Sequence, residues 1–239
     1  MNYFDQEGYS NPQAEKQFLA SDRASAFMRM VYTTMTLGLA LTGLTAWVVS
    51  QNAELFTYFN TGIMQWIVML APLGFVLALS FGINKMSYST ASIVFAVYSL
   101  MMGLSLSYVF HAYAGGNIFT AFFITAGTFG AMSLIGYTTK VDLSKMGSLL
   151  YMALIGLIIA MIANLFFNIG IVDTIISVLG VLIFAGLTAW DTQRLLQYGA
   201  YAEANDEDMR KVGLIGALGL YLNVVNMFLF ILRLLGGDD

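Results

Sequence analysis

VGLIGALGLYLNVVNMFLFILRLL, residues 212–235, is an apolar segment with an unusual arrangement of glycine and asparagine. About 20 apolar residues at 1.5 Å each cross the roughly 30 Å hydrocarbon layer of a bilayer, so the segment predicts one membrane-spanning helix. Steps of three and four residues place its small and polar side chains on one stripe. The stripe contains Gly213, Gly216, Gly219, Asn223, Asn226, Phe230 and Arg233.

This stripe indicates that the helix packs inside a bundle. Glycines at Gly213, Gly216 and Gly219 would let a neighbouring helix approach closely. The amides of Asn223 and Asn226 would need partners on other helices, because hydrocarbon supplies none.

The composition of the whole chain predicts an all-α, polytopic membrane protein. Of its 239 residues, 59% are hydrophobic and only 10% are charged, and the mean hydropathy is +0.76. Soluble domains have far more charge. No basic surface suggests nucleic acid as a partner, and the absence of cysteine excludes disulfides, thiolate metal sites and a cysteine nucleophile.

Seven spans are predicted, and the seventh is residues 212–235. Six further apolar stretches lie at residues 30–50, 63–82, 88–110, 118–137, 147–167 and 171–190. Residues 1–27 are polar, and we expect a mostly disordered tail, helical at most from Ser21 onward. Residues 28–236 would form the transmembrane domain and residues 237–239 a short end.

The positive charges predict the orientation. Nine of the ten Lys and Arg residues fall on the side of the amino terminus, and only Arg233 falls on the other. By the positive-inside rule, the amino terminus is cytoplasmic and the carboxyl terminus is outside.

Asp191 is the most informative charge, because it closes the sixth span in GLTAWDTQRLL. A carboxylate at membrane depth is costly and usually faces a cavity or a partner. The alternative is a boundary carboxylate paired with Arg194 or Lys211, and the residues alone favour neither interpretation. Asp191 is also the one candidate ligand for a metal, and no metal site is predicted with any other residue.

The remaining charges fit structural roles. Asp173 is expected to cap the sixth helix, and Asp142 to cap the fifth or to contact Lys145. Arg233 is expected to snorkel near the carboxyl end, close to Asp238 and Asp239. The run Glu203, Asp206, Glu207 and Asp208 would form a solvated loop and the acidic first turn of the last helix, and His111 would lie at the outer interface.

Enzymatic chemistry is not expected. Ser105 and His111 lie six residues apart on one helix, so they cannot face each other as nucleophile and base. An aspartyl protease needs two buried aspartates that share a proton, and only Asp191 qualifies. The chain is therefore predicted to be neither an enzyme nor dependent on a cofactor.

Five blocks in order resemble the bacterial branch of the Bax inhibitor-1 family, the transmembrane Bax-inhibitor-motif proteins. The blocks are GLSLSYVF (103–110), SLIGYTTKVDLSKMG (133–147), GLIIAMIANLF (156–166), GVLIFAGLTAWDTQ (180–193) and GLYLNVVNMFLFILRLLG (219–236). The resemblance implies a protein of a bacterial inner membrane, with six helices around a central seventh. It also implies a pH-sensitive calcium leak controlled by two hydrogen-bonded aspartates.

The first of these aspartates corresponds to Asp191, whereas the second position holds Asn223 in this chain. Two close carboxylates cannot both ionise cheaply and respond to pH as a coupled unit, and an Asp–Asn pair loses that repulsion. Asn223 lies about 16 Å along its helix from Val212, whereas Asp191 lies about 30 Å from the outer start at Ile171. The two meet only if the sixth helix starts late or continues towards Gly199, or if one of the two helices is tilted.

We therefore expect a closed or slowly leaking cation pathway, with calcium as the transported ion and a weakened pH response. Asp191 would supply charge, and Asn223 and Asn226 neutral ligands. The alternative is a regulatory interaction protein that binds a membrane protease or a stress-response partner without passing ions.

Overall fold

The computed structural model describes residues 12–167, 169–201 and 207–236, with side chains from residue 19 onward. All regular secondary structure in these ranges is helical. The α-helices are α1 (Pro12–Gln51), α2 (Ala53–Asn60), α3 (Gly62–Gly82), α4 (Tyr88–Leu106), α5 (Val109–Ala112), α6 (Gly115–Thr138), α7 (Ser144–Phe167), α8 (Gly170–Tyr201) and α9 (Glu207–Leu235).

Seven helical segments are long and apolar enough to cross a membrane, which confirms the predicted fold class. They are α1, α3 with the 3-10 turn that follows it, α4 with α5, and then α6, α7, α8 and α9. α3 continues through Pro72, whose side chain is buried. The short helix α2 was not predicted; the side chain of Asn52 caps it by accepting a hydrogen bond from the Leu55 N–H at 3.0 Å.

The first helix begins earlier than predicted. α1 starts at Pro12, and Phe27, Met28 and Val31 are among its most buried side chains. The bundle therefore includes residues on the amino-terminal side of position 28. Residues 1–11 and 237–239 of the predicted terminal segments lie outside the described ranges.

α9 lies at the centre of the bundle. The buried share of the membrane-spanning stretch is 56% in α9, against 39% in α8 and 11% in each of α6 and α7. α9 packs against α1, α4, α6 and most extensively α8, and it faces α3 and α7 across a cavity. The six other spans thus surround the seventh.

Candidate functional site

Asp191 and Asn223 are in direct contact. The Asn223 Nδ2 donates a hydrogen bond of 2.7 Å to the Asp191 Oδ2. Asn223 is only 5% exposed, and Asp191 remains partly accessible. The contact is possible because α8 continues to Tyr201, so that Asp191 lies inside its helix, about 15 Å from the carboxyl end, instead of at that end.

Neither of the two cations considered as partners of Asp191 forms an ion pair with it within 4.0 Å. The Arg194 guanidinium lies over the Trp190 ring, 5.3 Å from its centroid. Lys211 pairs with Glu207 at 3.4 Å and Asp208 at 3.7 Å. Across the described residues, no N–O contact within 4.0 Å joins Asp191 to a basic side chain, so its structural partner is an amide.

The residues next to Asp191 contact three different helices. A Cβ on Gly136 would collide with the Ala189 backbone, so α6 and α8 are in close contact there. The Trp190 ring fills the space beside Gly147 in α7, and the Thr192 hydroxyl lies 3.3 Å from that of Tyr32 in α1. Because successive residues of a helix are rotated by about 100°, this one stretch of α8 is held from several sides.

Gln193 connects α8 to the loop between α6 and α7. Its Oε1 accepts a hydrogen bond from the Leu143 N–H at 2.9 Å, and its Nε2 donates to the Val141 carbonyl at 2.7 Å and the Thr139 carbonyl at 3.5 Å. The side chain is 7% exposed. Sequence reasoning missed this role, although an amide two residues after a membrane-depth carboxylate is a signal for a buried hydrogen-bond partner.

The three stripe glycines differ in their surroundings. A Cβ on Gly213 would collide with the Met30 side chain, and one on Gly216 with that of Leu195, so both positions are closely packed. The close neighbours there are side chains rather than the backbone of another helix. A Cβ on Gly219 would meet nothing within 4 Å, so its assignment to close packing was wrong: Gly219 borders a cavity.

That cavity has a volume of about 520 Å³ and lies between α3, α4, α7, α8 and α9. Asp191, Asn223 and Asn226 are on its wall, together with mostly apolar side chains. The Asn226 Nδ2 donates to the Leu222 carbonyl of its own helix at 2.8 Å, so Asn226 does not bond Asp191 directly. The cavity brings the three predicted site residues into one space.

A second polar cluster lies near the carboxyl ends of α7 and α9 and the amino end of α8. Asp173 Oδ1 accepts hydrogen bonds from Arg233 at 2.6 Å and from the Asn164 Nδ2 at 2.8 Å. These groups border a smaller cavity of about 300 Å³, which shares Ile158 and Met161 with the first. Asp173 is thus an ion-pair partner in the first turn of α8, and Arg233 bonds a neighbouring helix rather than simply snorkelling.

The other polar residues occupy structural positions. Asp142 accepts a hydrogen bond from the Ser144 N–H at 2.9 Å, and side-chain and backbone hydrogen bonds from Ser144 hold the pKa of Asp142 below its ordinary value. Glu207 accepts a hydrogen bond from the Tyr88 N–H at 3.0 Å, which joins the starts of α4 and α9.

His111 is exposed and stacks on Phe56. Within the described ranges, no three His, Cys, Asp or Glu residues cluster as metal ligands. Glu203 and Asp206 lie outside those ranges.

A central helix, an intramembrane carboxylate bonded to it and a cavity beside both define a class of seven-helix integral membrane proteins with a polar site inside the bundle. The chain belongs to the Bax inhibitor-1 family: the family model described as "Inhibitor of apoptosis-promoting Bax1" matches residues 24–239. The family resemblance of the five blocks is thereby confirmed.

Several bacterial proteins are similar over most of their length. The chain is 41% identical over 212 residues to "Inner membrane protein YbhL" of Escherichia coli K12, covering 88% of this chain and 91% of that protein. It is 43% identical over 211 residues to "Uncharacterized protein RP147" of Rickettsia prowazekii, covering 88% and 89%. A Borreliella burgdorferi protein is 40% identical over 211 residues, covering 88% and 91%.

Proposed function

We propose that the chain forms a cation pathway that is closed or slowly leaking at rest, with Asp191 as its intramembrane charge and calcium as a transported ion. The observation that carries the proposal is the position of Asp191. It lies within a membrane-spanning helix, borders a 520 Å³ cavity and is bonded to an amide instead of a base. Ionisable residues at this depth usually mark ion or proton pathways.

Close packing on the cytoplasmic side of Asp191 supports a closed resting state. Leu195 fills the space beside Gly216, and Phe27 lies against Gly199 and within ring contact of Tyr198 at 5.6 Å. These residues belong to α1, α8 and α9, so a cation leaving the cavity towards the cytoplasm would have to separate three helices. On the outer side, the Arg233–Asp173 ion pair borders the smaller cavity.

The ligands at the cavity support weak cation binding. Calcium takes six to eight oxygen ligands, whereas the site offers one carboxylate and the amides of Asn223 and Asn226. Water would have to complete the coordination. Such a site suits passage better than storage, and the absence of a second carboxylate at position 223 favours a weak pH response.

The remaining parts of the proposal concern setting and chemistry. The protein acts in a bacterial inner membrane with its amino terminus in the cytoplasm, as the nine-to-one distribution of Lys and Arg favours. It works without enzymatic chemistry or a cofactor. The name of the Escherichia coli relative, an inner membrane protein, supports the location.

Calcium entry into proteoliposomes tests the proposal. The native chain should admit calcium faster than protein-free liposomes do, and Asp191→Asn should change the rate more than Asp173→Asn, since Asp191 borders the larger cavity and Asp173 is already neutralised by Arg233. Both variants remove one carboxylate from α8, so Asp173→Asn is the matched control. Equal effects at comparable reconstitution would contradict the role of Asp191.

Absence of flux above the protein-free background would contradict the pathway itself. The other interpretation would then stand, in which the chain regulates another membrane protein, such as a protease or a stress-response partner. In that case Asp191→Asn would be expected to change partner binding.

A further inference from the structure

The larger cavity opens sideways, towards the hydrocarbon layer. Leu73 of α3 and Ile158 of α7 border it and are 60% and 47% exposed. Their outward-facing neighbours Leu70 and Ile155 are 56% and 59% exposed and equally apolar. Among the described helices, α3 and α7 share no extensive interface that would close the gap between them. A molecule can therefore enter from the lipid without crossing the polar ends of the bundle.

The cavity wall has two chemical parts. Most of it is hydrocarbon, thioether and aromatic surface, including Met161, Tyr151 and Phe184. At one end lies the Asp191 carboxylate, whose Oδ2 accepts the Asn223 amide and which forms no ion pair within 4.0 Å among the described residues. The occupant that matches both parts is apolar over most of its surface and carries a single positive charge.

An inorganic cation satisfies only the smaller part. It would either keep its hydration shell beside mainly apolar side chains or lose water at a cost in desolvation, so the cavity would hold it only weakly. An ammonium group attached to an apolar body would make a charge-assisted hydrogen bond with Asp191 and could lie against the faces of Tyr151 or Phe184. The body would cover the apolar wall. A volume of about 520 Å³ is typical of small-molecule sites.

We propose that this lateral cavity is a binding site for membrane-dissolved organic cations, amphiphiles with one ammonium group, which lies against Asp191, and a compact apolar body. The site does not depend on ion flux, so the result of the flux assay does not decide whether the site exists. An occupant would lie between α3, α7 and the central helix α9, where it would oppose any rearrangement of these three helices.

Binding can be measured with a matched pair of probes. The first is radiolabelled 4-phenylbutyl-dimethylamine, and the second is its isostere 5-methylhexylbenzene, in which a CH group replaces the nitrogen. Each is titrated onto the full chain in lipid nanodiscs, and binding to empty nanodiscs is subtracted. The amine should bind saturably, and the isostere at least tenfold more weakly, because only the amine can pair with Asp191.

Three variants locate the site. Asp191→Asn should weaken amine binding at least tenfold. Gly219→Leu should do the same, because a side chain there would project into open space at the cavity. Gly156→Leu is its matched control, since Gly156 also lies in a spanning helix with nothing within 4 Å of an added Cβ, is exposed, and does not border the cavity. It should bind the amine as the native chain does.

The leucine variants test the site even if Asp191→Asn does not fold. Size-exclusion chromatography checks that each preparation is folded. Equal binding of amine and isostere would overturn the proposal, since the cavity would then be an apolar pocket filled by lipid chains without recognition of charge. Unchanged binding by Gly219→Leu would place the amine elsewhere. No saturable binding to the native chain would also refute the site.

Discussion

Replacing Asn223 with aspartate should give this protein a steep response to pH. The Asn223 Nδ2 lies 2.7 Å from the Asp191 Oδ2, so the substitution would place two carboxylates in contact. Even if they moved apart to 4 Å, their repulsion would be about 4 kcal/mol at an effective dielectric constant of about 20. This corresponds to roughly a thousandfold penalty on ionising both, because about 1.4 kcal/mol is a factor of ten.

The expected consequence is a coupled pair that shares one proton near neutral pH. Loss of that proton would change the charge at the cavity by a full unit, so calcium entry should respond more steeply between about pH 6 and 8. The native chain has a single carboxylate at this point and should respond weakly. The assay is calcium entry into proteoliposomes across that pH range, with native chain and variant reconstituted side by side.

Asn226→Asp is the matched control. Asn226 lies one turn further along α9 and borders the same cavity, but its amide bonds the Leu222 carbonyl and not Asp191. A steeper response in Asn223→Asp than in Asn226→Asp would assign the effect to the direct contact. If the native chain already shows the full pH response and Asn223→Asp leaves it unchanged, the pair does not sense pH and the reasoning is refuted.

Three further predictions concern topology and packing. A single cysteine at Gly116 should react with an impermeant thiol reagent added outside, and one at Ser144 should not; reversed labelling would overturn the orientation. Gly147→Leu should destabilise the chain by about 1–3 kcal/mol in detergent unfolding, because the tryptophan ring on α8 fills that space, whereas Gly156→Leu should be nearly neutral. Gln193→Leu should speed tryptic cleavage of the loop before α7, because its hydrogen bonds to that loop are lost; an unchanged rate would show that other contacts hold the loop.

The residues predicted much of the fold and part of the site. Hydropathy alone indicated seven spans and the membrane class. Each membrane-spanning helix needs apolar side chains along its length, whichever helices it packs against. The glycine and asparagine stripe of α9 indicated a helix packed inside a bundle, and its central position was implied by the family resemblance. The importance of Asp191 followed from the cost of a charge at membrane depth, whereas its pairing with Asn223 came from the family resemblance and conflicted with the predicted length of the sixth span.

Tertiary structure decided how the helices meet. α8 reaches Tyr201 because its carboxyl end, although more polar, packs on α1 and α9, and hydropathy does not report such burial. Gly219 and Gly216 look alike in sequence, yet one borders a cavity and the other a leucine side chain. Asp173 and Arg233 lie 60 residues apart and meet through the antiparallel packing of α8 and α9. A sequence pattern indicates how each helix, taken alone, fits the lipid bilayer. The tilt, rotation and length of the helices determine which side chains are in contact.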